Sequence, residues 1–241
     1  MKLAIISGGS RGLGAALCRQ YAEAGFALVE FSRSAPQPFS VACDFSDPAQ
    51  LARIVAGHLA PLASVPALEE LVVISNAALL DPIGPASHKA PAAVQANLNV
   101  SFVSAILFMS EVIRVFQSHA ARKTVVSISS GAATKGHAGW SLYCAAKAGL
   151  DNFIRALALE QSLEAQPFRA LSIDPGIMDT GMQAEIRASS QDDFPSVARF
   201  QGFLRDGALR SPERVATAIR SIVAAEHAGG ERLVAADFIQ R

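Results

Sequence analysis

Leu3-Ala4-Ile5-Ile6-Ser7-Gly8-Gly9-Ser10-Arg11-Gly12-Leu13-Gly14 decides the fold. The apolar run Leu3–Ile6 reads as a strand buried on both faces, as in a parallel sheet. The glycines that follow permit a tight turn and let backbone N–H groups approach a pyrophosphate. That anion would also sit on the positive end of the helix that follows. The helix is predicted from about Gly12 to Ala24, with Gly25 as its stop. Ala27–Phe31 is the next strand. Together these segments make a β-loop-α-β unit of dinucleotide-binding size, with Gly8, Ser10, Arg11, Gly12, Leu13 and Gly14 as candidate cofactor contacts.

Working outward, the alternation continues. Strands are predicted at Ser40–Cys43, Leu71–Ser75, Thr124–Ser129, Ala170–Ile173 and Arg232–Ala235. Helices are predicted from Asp47-Pro48 to about Leu59, as one long segment from Pro91 to Ser118, at Ser141–Glu164, and from Ser211-Pro212 to about Ala225. This pattern predicts an α/β chain: one Rossmann-type domain over 1–241, a doubly wound parallel sheet with helices on both faces. Residues 179–207 have weak periodicity and read either as a substrate lid or as a helical surface excursion.

Composition agrees with one globular domain. The chain has 241 residues, 51% apolar and 17% charged, which excludes a disordered chain. Lys+Arg and Asp+Glu both number 21. The basic excess of a nucleic-acid binder is missing, so no nucleic-acid partner is expected. Cys18, Cys43 and Cys144 are scattered, and His58, His88, His119, His137 and His227 show no ligand spacing. We therefore expect no metal site and a reducing, cytoplasmic location. The brief apolar start is too short for a signal peptide, and no transmembrane helix or membrane partner is expected.

The second strand ends in Phe31-Ser32-Arg33. An acidic residue there would accept hydrogen bonds from a ribose 2′-OH and repel a 2′-phosphate. Ser32 followed by Arg33, with Arg11 in the glycine loop, favours NADP(H). Further along, Tyr143 and Lys147 lie four residues apart and share a helical face. A nearby ammonium lowers a phenol's pKa towards useful acid–base chemistry. Ser130 falls at a strand's C-terminal end, where open α/β sheets bind ligands. Its hydroxyl suits an oxygen on which charge develops.

Gly8-x-x-x-Gly12-x-Gly14, Ser130, Tyr143-x-x-x-Lys147 and Pro175-Gly176, in this order, resemble the classical short-chain dehydrogenase/reductase family over essentially the whole chain. Gly139–Lys147 and Asp174–Gln183 are most similar to the sepiapterin reductases and their microbial relatives, some of which reduce diketones such as benzil. The resemblance implies that Tyr143 donates a proton to a carbonyl oxygen, Ser130 orients it, Lys147 holds the nicotinamide ribose, and Asn97 supports a proton-relaying water. It implies that Asp44 and Phe45 contact adenine, that Asn76 and Ala77 run beside the ribose, and that Pro175, Gly176, Met178 and Thr180 cover the nicotinamide. It also implies a homodimer formed by the helices carrying Asn97 and Lys147, and a small-molecule carbonyl substrate. The family's Asn-Asn-Ala-Gly is here Ser75-Asn76-Ala77-Ala78, and Ser7 replaces the commoner threonine.

For the substrate side, Trp140 is read as a stacking ring or as an ordinary packed tryptophan. Gly176 and Met182 join it as candidate pocket residues. Asp237 is read as a pterin-anchoring carboxylate or as a surface aspartate.

Overall fold

The computed structural model describes residues 1–239. Its strands are β1 (Lys2–Ser7), β2 (Ala27–Ser32), β3 (Ser40–Ala42), β4 (Glu70–Ser75), β5 (Arg122–Ile128), β6 (Phe168–Asp174) and β7 (Arg232–Val234). Among the described residues they form one seven-stranded sheet in the order β3-β2-β1-β4-β5-β6-β7, every pair parallel. The order reverses between β1 and β4. A crevice at the carboxyl ends of the strands follows from that reversal, and it is where such sheets bind ligands.

Alternation along the strands builds two cores. Leu3, Ile5, Val73 and Val125 point into one, with Phe108, Met109 and Phe116. Ala4, Ile6, Val72, Ile74 and Val126 point into the other, with Leu17, Ile219 and Ile222. Burial on both faces is why these strands read as continuous apolar runs.

The helices are α1 (Gly12–Glu23), α2 (Pro48–Ala63), α3 (Pro91–Leu98), α4 (Ser104–Phe116), α5 (Ser141–Gln161), α6 (Gly181–Ala188), α7 (Val197–Arg205) and α8 (Pro212–Ala224). Side-chain oxygens cap three of them: Asp47 accepts from Gln50 N, Thr180 from Gln183 N, and Ser211 from Arg214 N. Each satisfies a backbone donor that the helix itself leaves free.

Two expectations change. The segment 91–118 is not one α-helix: a π-helical turn at Asn99–Val103 separates α3 from α4. Within that turn Ser101 Oγ accepts from Leu79 N and donates to Leu79 O, tying the helix to the loop after β4. Helix α2 runs past Leu59 to Ala63, with Pro61 inside its last turn. Residues 179–207, left open between a lid and a surface excursion, carry the helices α6 and α7. Pro91–Phe116 is long and apolar enough to cross a membrane by length and composition, but its Phe108, Met109, Val112 and Phe116 are buried in the core.

Candidate active site

The glycine loop lies at the carboxyl end of β1. A Cβ on Gly14 would come 2.1 Å from Gly8 O, so only glycine permits this turn. Asn76 braces the loop: its Nδ2 donates to Gly8 O at 2.9 Å, and its backbone N–H donates to Ser7 Oγ at 3.0 Å. Ala77 N also donates to Ser7 Oγ. Ser7 thus fills the threonine position by accepting two backbone donors. The start of α1 has no side-chain cap and no acidic residue in its first turn. Its N–H groups are free for an anion. Leu13 is buried, Ser10 half-buried, and Arg11 and Arg33 exposed.

Glu30 is the residue the sequence reading passed over here. It is 1% exposed, accepts from Gly9 N at 2.8 Å and from the Ser32 hydroxyl at 3.1 Å. A lone acid in the apolar strand Ala27–Ser32 was the available signal. The Phe45 ring sits in the core against Phe108, and Asp44 beside it is half-buried and accepts from Ser46 N.

Ser130, Tyr143 and Lys147 converge. Ser130 follows β5 in extended conformation; its Oγ accepts from Ala132 N at 3.1 Å, and it shares the cavity wall with Tyr143. Lys147 donates to Ile128 O at 2.7 Å, with its Nζ 5.6 Å from the Tyr143 ring centre. Both side chains are buried on one face of α5. Burial pushes the Tyr143 phenol up to about 12, opposed by the Ser130 side chain. Burial brings Lys147 down to about 8, opposed by the negative charges of Asp151 and Asp174. Burial dominates at Tyr143 and acts against the lowering expected from a neighbouring ammonium.

Asn97 sits at the end of α3, and its Nδ2 donates to Leu79 O and Asp81 O. Its Oδ1 is buried without a partner among the described residues, and no hydrogen bond joins it to Lys147. Asn99 instead donates to Ser46 O.

Beside the hydroxyl pair lies a cavity of about 240 Å³. Ser130, Trp140, Tyr143, Gly176 and Met182, expected as substrate contacts, line it, together with Pro175, Met178 and Thr180, expected as cofactor contacts. Helices α6 and α7 roof it with Ile186, Phe200 and Phe203, while Lys135, His137 and Arg199 add basic groups. The roof is docked firmly. Trp140 stacks on Phe194 with ring centres 4.5 Å apart and planes 3° apart, and Phe200 meets Trp140 edge-on. Gly139 lets the backbones touch: at φ +87°, a Cβ there would lie 2.2 Å from Asp193 O. Thr180 reaches the glycine loop, within 3.6 Å of where a Gly12 Cβ would stand. Burial pushes His137 below its usual value, helped by Lys135 and Arg199.

Asp237 is not part of this cavity. It is exposed on the short turn after β7, outside the lining residues. The surface-aspartate alternative fits its position.

Known proteins share this arrangement. The family model for short chain dehydrogenase matches residues 2–191. A benzil reductase ((S)-benzoin forming) of Bacillus subtilis (strain 168) is 34% identical over 227 residues, covering 92% of this chain and 93% of the relative. A sepiapterin reductase of Mus musculus is 31% identical over 228 residues, 85% of each chain. The crystal structure of KRED1-Pglu enzyme superposes with a TM-score of 0.82 at 27% identity, covering 96% of this chain and all of that one. With the glycine loop at the sheet's switch point and hydroxyl, phenol and ammonium gathered beside the cavity, the chain belongs to the short chain dehydrogenase family and is an oxidoreductase of C=O and CH–OH groups.

Proposed function

We propose that the chain is an NADPH-dependent reductase of small ketones and α-dicarbonyls, with Ser130, Tyr143 and Lys147 as its catalytic set. The observation that carries this is the Ser130–Tyr143 pair opening onto an apolar, aromatic-walled cavity. The uncapped start of α1 fits a pyrophosphate, and the exposed Arg33 fits a 2′-phosphate. Among the described residues Lys147 has one acceptor, Ile128 O, so its remaining donors suit ribose hydroxyls. Asp44, Asn76, Ala77 and the stretch Pro175–Thr180 complete the cofactor's surroundings in this proposal. The chemistry that bound NADPH supplies is hydride delivery to the carbonyl carbon.

The chain's own residues do the rest. Ser130 and Tyr143 hold the carbonyl oxygen. A phenol pushed up to about 12 keeps its proton at neutral pH, so Tyr143 donates it as negative charge builds on that oxygen. Charged Lys147 stabilises the phenolate that remains. Asn97, fixed to the loop carbonyls, is proposed to support a water that returns the proton. Trp140, Phe200 and Phe203 exclude water and favour flat, aromatic substrates.

The Bacillus relative's name supports benzil as a substrate, and the mouse relative's supports sepiapterin. With Asp237 outside the cavity lining, its replacement should leave both turnovers nearly unchanged. We further propose a homodimer, supported by the exposed Val103 after α3, Leu159 late in α5 and Leu163 just beyond it, and a cytoplasmic location, supported by the free thiols of Cys18, Cys43 and Cys144. The test is oxidation of NADPH and of NADH with benzil and sepiapterin side by side. Faster turnover of benzil with NADPH supports the proposal, whereas binding of NADPH without turnover of any carbonyl would reject it.

A further inference from the structure

Arg232 opens β7, the last strand, and had no role in the sequence reading. Its Nε donates to Asp151 Oδ2 at 3.0 Å. Its Nη2 donates to Asp174 Oδ2 at 2.8 Å and to the Ser130 carbonyl oxygen at 3.0 Å. Each acceptor belongs to a different segment of the chain around the site. Asp151 lies one helical turn beyond Lys147 on α5, its side chain 3% exposed. Asp174 ends β6, and its other oxygen accepts from Gly176 N at 2.9 Å, at the start of the loop that lines the cavity. Ser130 follows β5.

One guanidinium thus ties together the serine, the loop after β6 and the helix that carries Tyr143 and Lys147. Arginine suits this task because its rigid fork presents several donors at fixed angles; an ammonium is a point charge on a flexible stem. A partly buried ion pair is weak evidence for stability. Here the uncharged third acceptor, the Ser130 backbone, is the informative one. A pair that served folding alone would not need it.

We propose that Arg232 is a positioning residue: by gripping the Ser130 carbonyl while anchored on Asp174 and Asp151, it sets the Ser130 hydroxyl relative to Tyr143. The inference rests on the function proposed above, with Ser130 as the residue that orients the carbonyl.

A double-mutant cycle tests it, with benzil turnover under saturating NADPH as the readout. If Arg232 acts through Ser130, Arg232→Gln lowers kcat at least ten-fold in the otherwise native chain and less than two-fold when Ser130→Ala is already present. NADPH affinity, followed by fluorescence, should stay within two-fold. Should Arg232→Gln fold poorly, Arg232→Lys enters the same cycle; it keeps the charge, loses the fork, and should cost about three-fold, again vanishing beside Ser130→Ala. Losses that multiply in the double variant, or no loss in the native background, overturn the inference. Full activity of Ser130→Ala alone would overturn the site reading beneath it, a separate and recognisable outcome.

Discussion

Trp140 and Phe194 stack face to face, 4.5 Å between ring centres and 3° between planes, joining the wall before α5 to the segment between α6 and α7. Phe194 is fully buried yet does not line the cavity, so it holds the roof without touching what lies beneath. Phe194→Ala removes a stack worth about 0.5–1.5 kcal/mol beyond burial, and leaves a void under the roof. KM for benzil should rise about five- to ten-fold while NADPH affinity stays unchanged. Steady-state kinetics beside cofactor titration checks this; equal damage to both would mean that the whole crevice depends on the stack.

The pH profile follows from Lys147. Its ammonium, brought down to about 8 by burial, is lost as pH rises through that value, while Tyr143 keeps its proton up to about 12. kcat/KM for reduction should therefore be level near neutrality and fall above pH 8. Stability moves the other way for this group. A lysine with a depressed pKa binds fewer protons when folded, so its contribution to stability rises between about pH 8 and the usual 10.4. A thermal melt at each pH separates loss of chemistry from unfolding. Lys147→Arg should shift the alkaline fall upward.

Arg33 gives the cofactor prediction. Charge-assisted hydrogen bonds are worth about 1.5–3 kcal/mol, so Arg33→Ala should weaken NADPH about ten- to hundred-fold and leave NADH nearly untouched. Equal effects on both cofactors would remove Arg33 from the 2′-phosphate.

Much of this was legible in the sequence, for identifiable reasons. Both-face burial makes the strands of a parallel sheet apolar throughout, so Leu3–Ile6 and Leu71–Ser75 announce themselves. Asp47-Pro48 and Ser211-Pro212 mark helix starts by cap chemistry. The π turn at Asn99–Val103 was hidden because it leaves the apolar pattern of 91–118 unbroken, and the tie from Ser101 to Leu79 within it spans 22 positions. Arg232 was hidden likewise: its partners Ser130, Asp151 and Asp174 come from three distant segments. Asp237 shows the converse failure, since a match in sequence position did not bring its side chain to the cavity. Tyr143 and Lys147 were found because a helix makes their neighbourhood local.

Lys123 offers a stability prediction apart from the site. Buried at the start of β5, it donates to the carbonyls of Phe116, Gln117 and His119, closing the end of α4. Lys123→Met leaves those acceptors without their charged donor and should cost about 1.5–3 kcal/mol, read as a lower urea midpoint with kcat retained. An unchanged midpoint would show that water replaces the lysine without loss.

The central claim is that Tyr143 delivers the proton to the carbonyl oxygen. Tyr143→Phe removes one oxygen from a buried ring and leaves the helix and cavity wall in place. The most direct measurement is single-turnover oxidation of enzyme-bound NADPH by benzil in the native chain and in Tyr143→Phe. The account predicts a loss of about 10²–10⁴-fold in that rate with NADPH affinity unchanged; a variant that turns over at the native rate would contradict it.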